Sequence, residues 1–519
     1  MTEPRKIPAI EMRGISKAFA SVKANQDIRF SVEAGEIHAL LGENGSGKST
    51  LMNILSGIYQ PDSGEIAIHG ERVIFRSPRD SMGKGIGMIH QHFKLVENLT
   101  ALDNIIAGTG HGLFLDRAAA RAKIVALSEQ FAMGIDPDRR ISTMSVSEKQ
   151  TVEILKVLYR GSQILILDEP TAVLTPQEIT HLFQILHRMR ENGQAIVFIS
   201  HKLNEVLSLC DRVTVLRQGR TIGTVRTDLT STTELVEMMV GRAVDLSIDR
   251  PAVHGSGLCL EVSDLTVTDS SGVKRLSQIS FALSHGEILG VAGLSGSGQK
   301  ELCEAIAGLQ TPSGGSIRFH GNEIVGKSPR EIIKLGISMS FIPEDRLGMG
   351  LVASMDIADN ILLKDYALHK GIFIDRNAAR TKAGQIVTHL AINTPSIFHT
   401  VRKLSGGNIQ KVILGREINL NPRLLITAYA VRGLDIHPAY TIYALINEQK
   451  QKDVAVLFIG EDLDVLLELC DRILVLCNGK VTGIVKASEV TKEQIGLMMA
   501  GESLQEKEVI LCCACELPR

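Results

Sequence analysis

The chain contains two copies of one sequence pattern, and this duplication constrains its fold more than any other feature. Residues 209–225 read LCDRVTVLRQGRTIGTV, and residues 469–485 read LCDRILVLCNGKVTGIV. Likewise, EIHALLGENGSGKSTLMNILSG at 36–57 matches EILGVAGLSGSGQKELCEAIAG at 287–308. Solenoid repeats have periods of about 20–50 residues, so two copies of this length predict duplicated domains in tandem.

The length of the chain supports the same division. Its 519 residues are too many for one hydrophobic core, since such cores stop growing at about 250–300 residues. A short stretch rich in Pro, Gly and Ser, SIDRPAVHGSG at 247–257, predicts a linker between the copies. We therefore place the first domain at 1–246, the second at 258–502 and a tail at 503–519.

Charge and composition argue against several classes of protein. The 56 Lys+Arg and 58 Asp+Glu give a net charge of −2, whereas dedicated nucleic-acid binders usually show a basic excess. No uncharged apolar run approaches the ~18–20 residues that span a bilayer, and the N-terminus lacks a secretory apolar region. A reduced, intracellular setting is expected because no C-x-x-C pair occurs among Cys210, Cys259, Cys303, Cys470 and Cys477.

Each copy has the pattern of an α/β fold. The apolar runs 37–42, 164–169 and 195–200 predict buried parallel strands. Amphipathic stretches lie between such runs, as crossover helices would. Residues from about 100 to 160 favour helix and predict an inserted helical subdomain.

The first copy carries a phosphate-binding loop motif, G-x-x-x-x-G-K-[ST], between a predicted strand and a predicted helix. Glycines let backbone N–H groups close around phosphate oxygens, and the helix N-terminus adds a positive dipole. Lys48 is expected to contact the β- and γ-phosphates, and the Ser49 hydroxyl to ligate Mg²⁺. The candidate nucleotide-binding residues are Gly42, Glu43, Asn44, Gly45, Ser46, Gly47, Lys48, Ser49 and Thr50.

Two carboxylates end the apolar run 164–169, about 120 residues after the loop. Asp168 suits Mg²⁺, and Glu169 suits a general base that orients the attacking water. The alternative is a strand-end turn with exposed acids. The phosphate-binding loop upstream makes the catalytic interpretation the better one.

Further motifs make the chain resemble an ABC-transporter ATPase. Residues 404–410, LSGGNIQ, resemble the signature of that family, and Arg432 to Asp435 resemble its D-loop. The positions that match the Q-loop glutamine, the switch histidine and the adenine-stacking aromatic are Gln91, His201 and Phe19. The resemblance covers residues 8–502. It is strongest to the double-length ATPases of bacterial importers for simple sugars and nucleosides, and KGIGMIHQHFKLVENLTALDNIIAG is more similar to the nucleoside-importing branch.

The resemblance implies two ABC ATPase domains, each with a RecA-like core and a helical subdomain. It implies ATP and Mg²⁺, with Gln91 joining Ser49 and Asp168 at the metal and His201 acting in catalysis. It also implies two transmembrane permease subunits, an extracytoplasmic substrate-binding protein and a peripheral position on the cytoplasmic face of the membrane. No nucleic-acid partner is expected. The residues that would transmit movement to the permease are Gln91 and Glu344.

Several of these residues have plainer interpretations. Phe19 and His201 could belong to the core. His90 and His92 flank Gln91 and could hold a metal, although such a pair more often packs within a loop. The tail contains Cys512, Cys513 and Cys515, which could bind a soft metal but have no histidine nearby. We interpret the tail as incidental.

The second copy has lost the residues that handle ATP. Gln299 replaces the phosphate lysine, and Lys300 stands where the metal hydroxyl belongs. The acidic pair becomes Ala428 and Tyr429, which can supply neither the metal carboxylate nor the base. Glu461 replaces the switch histidine, and Glu344 replaces the Q-loop glutamine. Hydrolysis by this set is implausible, and we expect nucleotide binding to be weak.

The first copy fails at a different place. Its signature is MSVSE at 144–148, without either glycine, so that side chains obstruct backbone approach to phosphate and Glu148 adds negative charge. Its D-loop ends in Thr175. The first copy keeps the ATP-handling residues and the second copy keeps the signature, so the two copies could form one complete site. One ATP would then contact Gly42–Ser49 of the first copy and five residues of the second: Ser405, Gly406, Gly407, Asn408 and Asp435.

The chain is therefore predicted to be the ATP-hydrolysing subunit of a bacterial importer, with nucleosides favoured and a simple sugar such as ribose or galactose next. One rival is a soluble tandem ABC ATPase acting on ribosomes, which usually carries two intact sites and a long charged linker. The other is a non-hydrolysing scaffold, against which Lys48, Asp168, Glu169 and His201 argue.

Overall fold

The computed structural model divides the chain into two compact units, unit 1 (residues 1–246) and unit 2 (residues 247–519). Gln91, His92, Glu344 and the tail at 503–519 lie outside the residues that it describes. The described residues are 7–20, 22–90, 93–109, 116–172, 174–243, 246–253, 257–294, 296–341, 350–365 and 375–502.

Unit 1 alternates strands and helices. Its described strands are β1 (Ile10–Phe19), β2 (Val22–Val32), β3 (Ile37–Leu41), β4 (Ser63–Ile68), β5 (Glu71–Val73), β6 (Ile86–Ile89), β7 (Ile164–Asp168), β8 (Ala195–Ile199), β9 (Arg212–Arg217) and β10 (Arg220–Arg226). Its described α-helices are α1 (Lys48–Leu55), α2 (Pro78–Gly83), α3 (Ala101–Ile106), α4 (Arg117–Gln130), α5 (Val146–Tyr159), α6 (Pro176–Glu191), α7 (Leu203–Leu209) and α8 (Thr232–Val240).

Two sheets organise the described part of unit 1. An antiparallel sheet has the order β2-β1-β4-β5, and a larger sheet has the order β10-β9-β3-β8-β7-β6. In the larger sheet, only β10 pairs antiparallel to its neighbour. All residues of β3 and β8 are buried, and residues of the antiparallel sheet and of α1 join one face of the larger sheet in a single hydrophobic cluster. The parallel core thus has the buried apolar strands that the sequence predicts.

The helical subdomain of unit 1 consists of α3, α4 and α5, which pack on one another. Each begins at a polar cap: the side chains of Thr100, Asp116 and Ser145 accept a hydrogen bond from a backbone N–H of the first turn. Such caps satisfy donors that the helix itself leaves unpaired. This subdomain occupies the region predicted to be helical.

Unit 2 repeats the plan. Its described strands are β11 (Leu258–Thr268), β12 (Lys274–Ser284), β13 (Ile288–Gly293), β14 (Gly314–Phe319), β15 (Asn322–Glu323), β16 (Ile337–Phe341), β17 (Leu424–Ala428), β18 (Ala455–Ile459), β19 (Arg472–Cys477) and β20 (Lys480–Lys486). Its described α-helices are α9 (Gln299–Ile306), α10 (Pro329–Leu335), α11 (Ile357–Asp365), α12 (Arg376–His389), α13 (Gly406–Ile418), α14 (Ile436–Gln451), α15 (Leu463–Leu469) and α16 (Lys492–Met499).

The sheets of unit 2 have the orders β12-β11-β14-β15 and β20-β19-β13-β18-β17-β16, which match those of unit 1 strand for strand. Successive residues of β13 point to opposite faces: Ile288 and Ala292 join one hydrophobic cluster, and Leu289 and Val291 join another. The fold class is confirmed as a duplicated α/β nucleotide-binding fold.

The stretch predicted as a linker is anchored to unit 2 at its start. Ile248 packs against the unit 2 core, and Arg250 Nη1 donates to Leu467 O at 3.2 Å and Cys470 O at 3.1 Å. The Asn447 amide also donates to Asp249 O. Among the described helices, none combines the length and apolar character that a membrane span requires.

Candidate active site

The loop between β3 and α1 carries the predicted phosphate-binding residues. Gly42 has φ +151°, and a Cβ there would lie 2.3 Å from Leu216 O. Gly47 has φ +101°, and its Cβ would lie 2.4 Å from Asn25 Nδ2. Gly45 has φ +78° but faces open space. Two of the glycines are therefore required by close packing of the loop, and the third leaves room at its surface.

The lysine of this loop folds back along its backbone. Lys48 Nζ donates to Gly42 O at 2.6 Å and Glu43 O at 3.1 Å. A further bond from Ser46 N to Glu43 O at 3.0 Å tightens the turn. The ammonium group thus lies against the loop that is expected to hold phosphate.

The start of α1 is open to an anion. Gly47 is its N-cap, and within the described residues no side chain caps it and no acidic residue occupies its first turn. Ser46 Oγ is buried without a hydrogen-bond partner, whereas Ser49 and Asn44 are exposed and Thr50 is half-buried. Unpaired N–H groups and a positive helix end fit a phosphate group, so the residues present fit ATP.

The two carboxylates lie at the C-terminal end of β7. Asp168 is its last residue, and Glu169 adopts φ +49°, in the left-handed region, while its N–H donates to Ile199 O at 2.9 Å. Such a backbone conformation costs about 1–3 kcal/mol for a residue other than glycine. The turn aims Glu169 at His201, whose Nδ1 lies 3.2 Å from Glu169 Oε1.

The electrostatics separate the two acids. Burial and the neighbouring Glu169 raise the pKa of Asp168, which Lys48 partly offsets. The hydrogen bond with His201 lowers the pKa of Glu169 despite its burial. Glu169 is therefore ionised at neutral pH and can accept a proton or orient water. The His201 side chain is 61% exposed, which contradicts its interpretation as a core histidine.

A buried network holds the turn that carries His201. Thr171 Oγ1 donates to Glu205 Oε2 at 2.6 Å, and Lys202 Nζ lies 3.2 Å from Glu205 Oε1. Lys202 N also donates to Ser200 Oγ at 3.0 Å. These positioning residues were not predicted from the sequence; the only signal was an acid, Glu205, within the apolar helix α7.

The predicted adenine-stacking residue lies at the end of β1. Phe19 is 40% exposed, so it is not a core residue. Its ring meets the edge of Tyr59 at a centroid distance of 5.1 Å, and Lys17 Nζ lies 5.8 Å from the ring centroid. Tyr59 is 37% exposed. Its contact with Phe19 was not predicted, although the sequence shows an aromatic residue shortly after the P-loop helix.

The signature helix of unit 1 closes its own N-terminus. Ser145 Oγ accepts from Glu148 N at 3.2 Å, and Glu148 Oε2 accepts from Ser145 N at 2.8 Å, which completes a capping box. Arg139 pairs with the same carboxylate. Burial raises the pKa of Glu148, but the bonds from Ser145 and Arg139 outweigh it and lower the pKa. The carboxylate stays ionised and occupies donors that a phosphate would need.

The signature helix of unit 2 leaves its N-terminus open. Ser405 is the N-cap of α13, and in the described part of the chain no side chain caps the backbone there and no acid lies in the first turn. Asn408 Nδ2 donates to Ser405 Oγ at 2.9 Å. Gly406 and Gly407 are half-buried, and a Cβ at Gly407 would meet only ordinary contacts at 3.6 Å.

The D-loop of unit 2 lies beside this helix. Gln410 Nε2, from α13, donates to Arg432 O at 2.9 Å. Asp435 begins α14 as its N-cap without a side-chain capping bond among the described residues. In unit 1, Thr175 holds the corresponding place and forms a capping box with Glu178. The structure thus brings the predicted signature and D-loop residues of unit 2 together.

The second P-loop lacks the positive charge of the first. Gln299 folds back as Lys48 does, with Nε2 donating to Leu294 O at 3.1 Å, but it brings no positive charge. Lys300 lies 3.7 Å from Glu304 along the surface of α9. The side chain that should attract phosphate is therefore neutral.

Tyr429 and Glu461 replace the catalytic pair in unit 2. Tyr429 keeps the left-handed backbone of Glu169, with φ +57°, and Ala428 beside it is buried. Arg432 lies 3.4 Å from Glu461 and 5.7 Å from the Tyr429 ring centroid. Burial and Glu461 raise the pKa of Tyr429 to about 12, so the phenol is neutral and cannot serve as a base.

A duplicated P-loop fold with a lysine, two strand-end carboxylates and a histidine in one copy defines a nucleotide-hydrolysing protein. The sequence profile of the ABC transporter family matches residues 25–172 and 276–427. The chain belongs to this family and is one of its transport ATPases.

Two relatives match nearly the whole chain. A nucleoside import ATP-binding protein, NupA of Lactococcus lactis subsp. cremoris, is 41% identical over 502 residues, which cover 96% of this chain and 99% of that protein. A guanosine import ATP-binding protein, NupO of Bacillus subtilis, is 42% identical over 96% of this chain and 98% of its own length. Other relatives, each 40% identical, are named for import of glucose and ribose.

A solved structure shares the tandem fold. The archaeal ribosome recycling factor in complex with a ribosomal stalk protein aligns with a TM-score of 0.60 over 91% of this chain and 90% of that chain. The sequence identity is 16%, so this likeness shows the fold alone.

Proposed function

We propose that the chain is the ATP-hydrolysing, energy-coupling subunit of a bacterial importer for nucleosides. The observation that carries the hydrolytic part is the Glu169–His201 pair beside an intact phosphate loop, against Tyr429 and Glu461 in unit 2. The names of two relatives at 41% and 42% identity support the choice of nucleosides.

Unit 1 would carry out the chemistry. The loop N–H groups and Lys48 would bind the β- and γ-phosphates, and Glu169 would orient the attacking water and accept its proton. His201 keeps Glu169 ionised and holds its carboxylate in place. Ser49, Asp168 and Gln91 would hold Mg²⁺, which neutralises phosphate charge when bound.

Hydrolysis would also need unit 2. The open N-terminus of α13 would supply backbone donors and a positive helix end to a γ-phosphate, and Gly406 and Gly407 would allow its close approach. Asp435 and Asn408 would complete this contribution. The self-capped helix α5 of unit 1 cannot play the same role. Glu148 occupies the N-terminus of this helix, and its negative charge would repel a phosphate group there.

The partners would be two transmembrane permease subunits, which this chain would contact from the cytoplasmic face of the membrane. An extracytoplasmic binding protein would deliver substrate to them. Movement would pass to the permease near Gln91 and Glu344. A simple sugar such as ribose is the second candidate substrate, since relatives at 40% identity are named for glucose and ribose.

Uptake of labelled uridine and labelled ribose tests the proposal in cells with the gene intact, deleted or carrying Lys48→Ala. Loss of uridine uptake alone in both altered strains is the expected result. Loss of ribose uptake alone would keep the mechanism and overturn the substrate. Unchanged uptake of both would contradict the importer for these substrates.

A further inference from the structure

We propose that unit 2 contains a binding site for a borderline transition-metal ion, Zn²⁺ or its analogue Co²⁺, formed by Cys259, His285 and His320. The three side chains each present one ligand atom, and these atoms all lie within 4.8 Å of one another. They come from β11, from the turn after β12 and from the turn after β14. None belongs to the nucleotide site described above.

The two histidines lie side by side. Their rings stack with a centroid distance of 4.9 Å and an interplanar angle of 28°. His285 Nδ1 lies 3.3 Å from Asp453 O, so its N–H can donate to that carbonyl and leave Nε2 as the lone-pair nitrogen. Metal-binding histidines commonly donate their other ring N–H to such an oxygen.

His320 supplies the most direct sign of an absent partner. Its Nε2 is buried, and among the described residues it has no hydrogen-bond partner. An unpaired polar atom is unfavourable in a buried position, and a bound metal ion would give this nitrogen a partner.

The thiol completes a ligand set suited to zinc. Cys259 is buried, and its Sγ lies 3.7 Å from Arg423 O. Binding would break the S–H bond, form a metal–thiolate bond and release the proton to solvent. Zinc–sulfur and zinc–nitrogen bonds of about 2.3 and 2.0 Å require the ligand atoms to draw together by roughly 1 Å. The fourth position would be left to water.

Unit 1 shows that the fold does not need these side chains. The strand pairs Ile10–Ile68 and Leu260–Phe319 occupy the same place in the two small sheets. By the same alignment, Ala9 and Ala34 of unit 1 correspond to Cys259 and His285, and His69 corresponds to His320. His69 N donates to Ala9 O as His320 N donates to Cys259 O. Cys259 and His285 are therefore present in unit 2 only. The same backbone accepts alanine at both positions in unit 1.

The test is a Co²⁺ titration of the full-length, nucleotide-free, reduced protein with the three tail cysteines replaced by serine. We expect one equivalent of Co²⁺ to bind and to produce a thiolate-to-cobalt charge-transfer band, which Zn²⁺ abolishes. Cys259→Ala should lose the band. His285→Ala should weaken binding at least about 100-fold, because even loss of an outer partner of a ligand costs about 10–100-fold.

His69→Ala is the matched control, since it removes the equivalent histidine from the copy that lacks the other two ligands. Its titration should equal that of the parent protein, and ATP turnover should be unchanged in Cys259→Ala and His285→Ala. The proposal is overturned if the parent protein shows no charge-transfer band. It is also overturned if Cys259→Ala keeps the band, or if His69→Ala weakens binding as much as His285→Ala.

Discussion

The N-termini of α5 and α13 differ at the third helical position, and one substitution can reverse this difference. Asn408→Glu would give α13 the Ser-x-x-Glu capping box that Ser145 and Glu148 form in unit 1. We expect this change to leave unit 2 about as stable as before and to reduce ATP turnover. Lower turnover with retained stability would indicate that the anion site has been closed. Damage to the fold would instead lower both turnover and stability.

The magnitude follows from the local contacts. A new N-terminal cap contributes about 0.5–2 kcal/mol, and a carboxylate in the first turn about 0.3–1 kcal/mol. The change removes two exposed bonds, from Asn393 N to Asn408 Oδ1 at 3.1 Å and from Asn408 Nδ2 to Ser405 Oγ at 2.9 Å, each worth about 0.5–1.5 kcal/mol. Because gains and losses are of similar size, the free energy of unfolding should stay within about 1 kcal/mol of the wild-type value. Turnover should fall by about 10²–10³, the usual cost of losing one preorganised donor.

Denaturant unfolding and steady-state phosphate release at saturating ATP measure the two quantities on the full chain. Asn408→Gln is the neutral control for side-chain length, and Glu148→Gln tests the closed helix of unit 1. Both controls should hydrolyse ATP near the wild-type rate. An Asn408→Glu chain that unfolds normally and hydrolyses ATP at the wild-type rate would refute the reasoning. An equal loss in Asn408→Gln would show that the added charge is not the cause.

Three further predictions concern unit 1. Glu169→Gln should lower turnover by about 10²–10⁴ while nucleotide binding persists, as measured by single-turnover phosphate release and nucleotide titration. Gly47→Ala should destabilise unit 1 by about 2–4 kcal/mol in denaturant unfolding, because φ is +101° and the added Cβ lies 2.4 Å from Asn25 Nδ2. The pKa of Glu169 is depressed in the folded protein, so turnover should fall only as pH drops below the ordinary carboxyl range. His201→Ala removes the hydrogen bond that lowers the pKa of Glu169, while burial still raises it. The acidic limb of the kcat–pH profile should therefore move to higher pH.

Much of the parallel core could be predicted from runs of apolar residues. The predicted strands at 37–42, 164–169 and 195–200 each end one residue earlier in the structure. For the run 164–169, the strand ends at Asp168 because Glu169 adopts a left-handed backbone conformation, which turns this candidate catalytic residue out of the strand. Hydrophobicity marks the buried strand but not the turn at its end.

The closed N-terminus of α5 was readable in part. The Ser145-x-x-Glu148 spacing is a capping-box signature, whereas the charge of Glu148 by itself predicts only that the position repels phosphate. The ion pair of Arg139 with Glu148 could not be predicted from the sequence, because it depends on how the turn before α5 folds.

The Cys259–His285–His320 cluster could not be predicted from spacing. Its members lie 26 and 35 residues apart and follow no metal-binding motif. They meet because β11 pairs with both β12 and β14, which brings the two following turns to one end of the small sheet. Register and turn geometry supply this convergence, and a single sequence does not reveal it.

The central claim is that hydrolysis in unit 1 depends on the open signature helix of unit 2. The most direct test compares Ser405→Arg with Ser145→Arg, the same substitution at the N-caps of α13 and α5, by ATP binding and turnover of the full chain. The account predicts that Ser405→Arg abolishes turnover and leaves ATP binding to unit 1 largely intact, whereas Ser145→Arg retains turnover. Wild-type turnover in Ser405→Arg would contradict it.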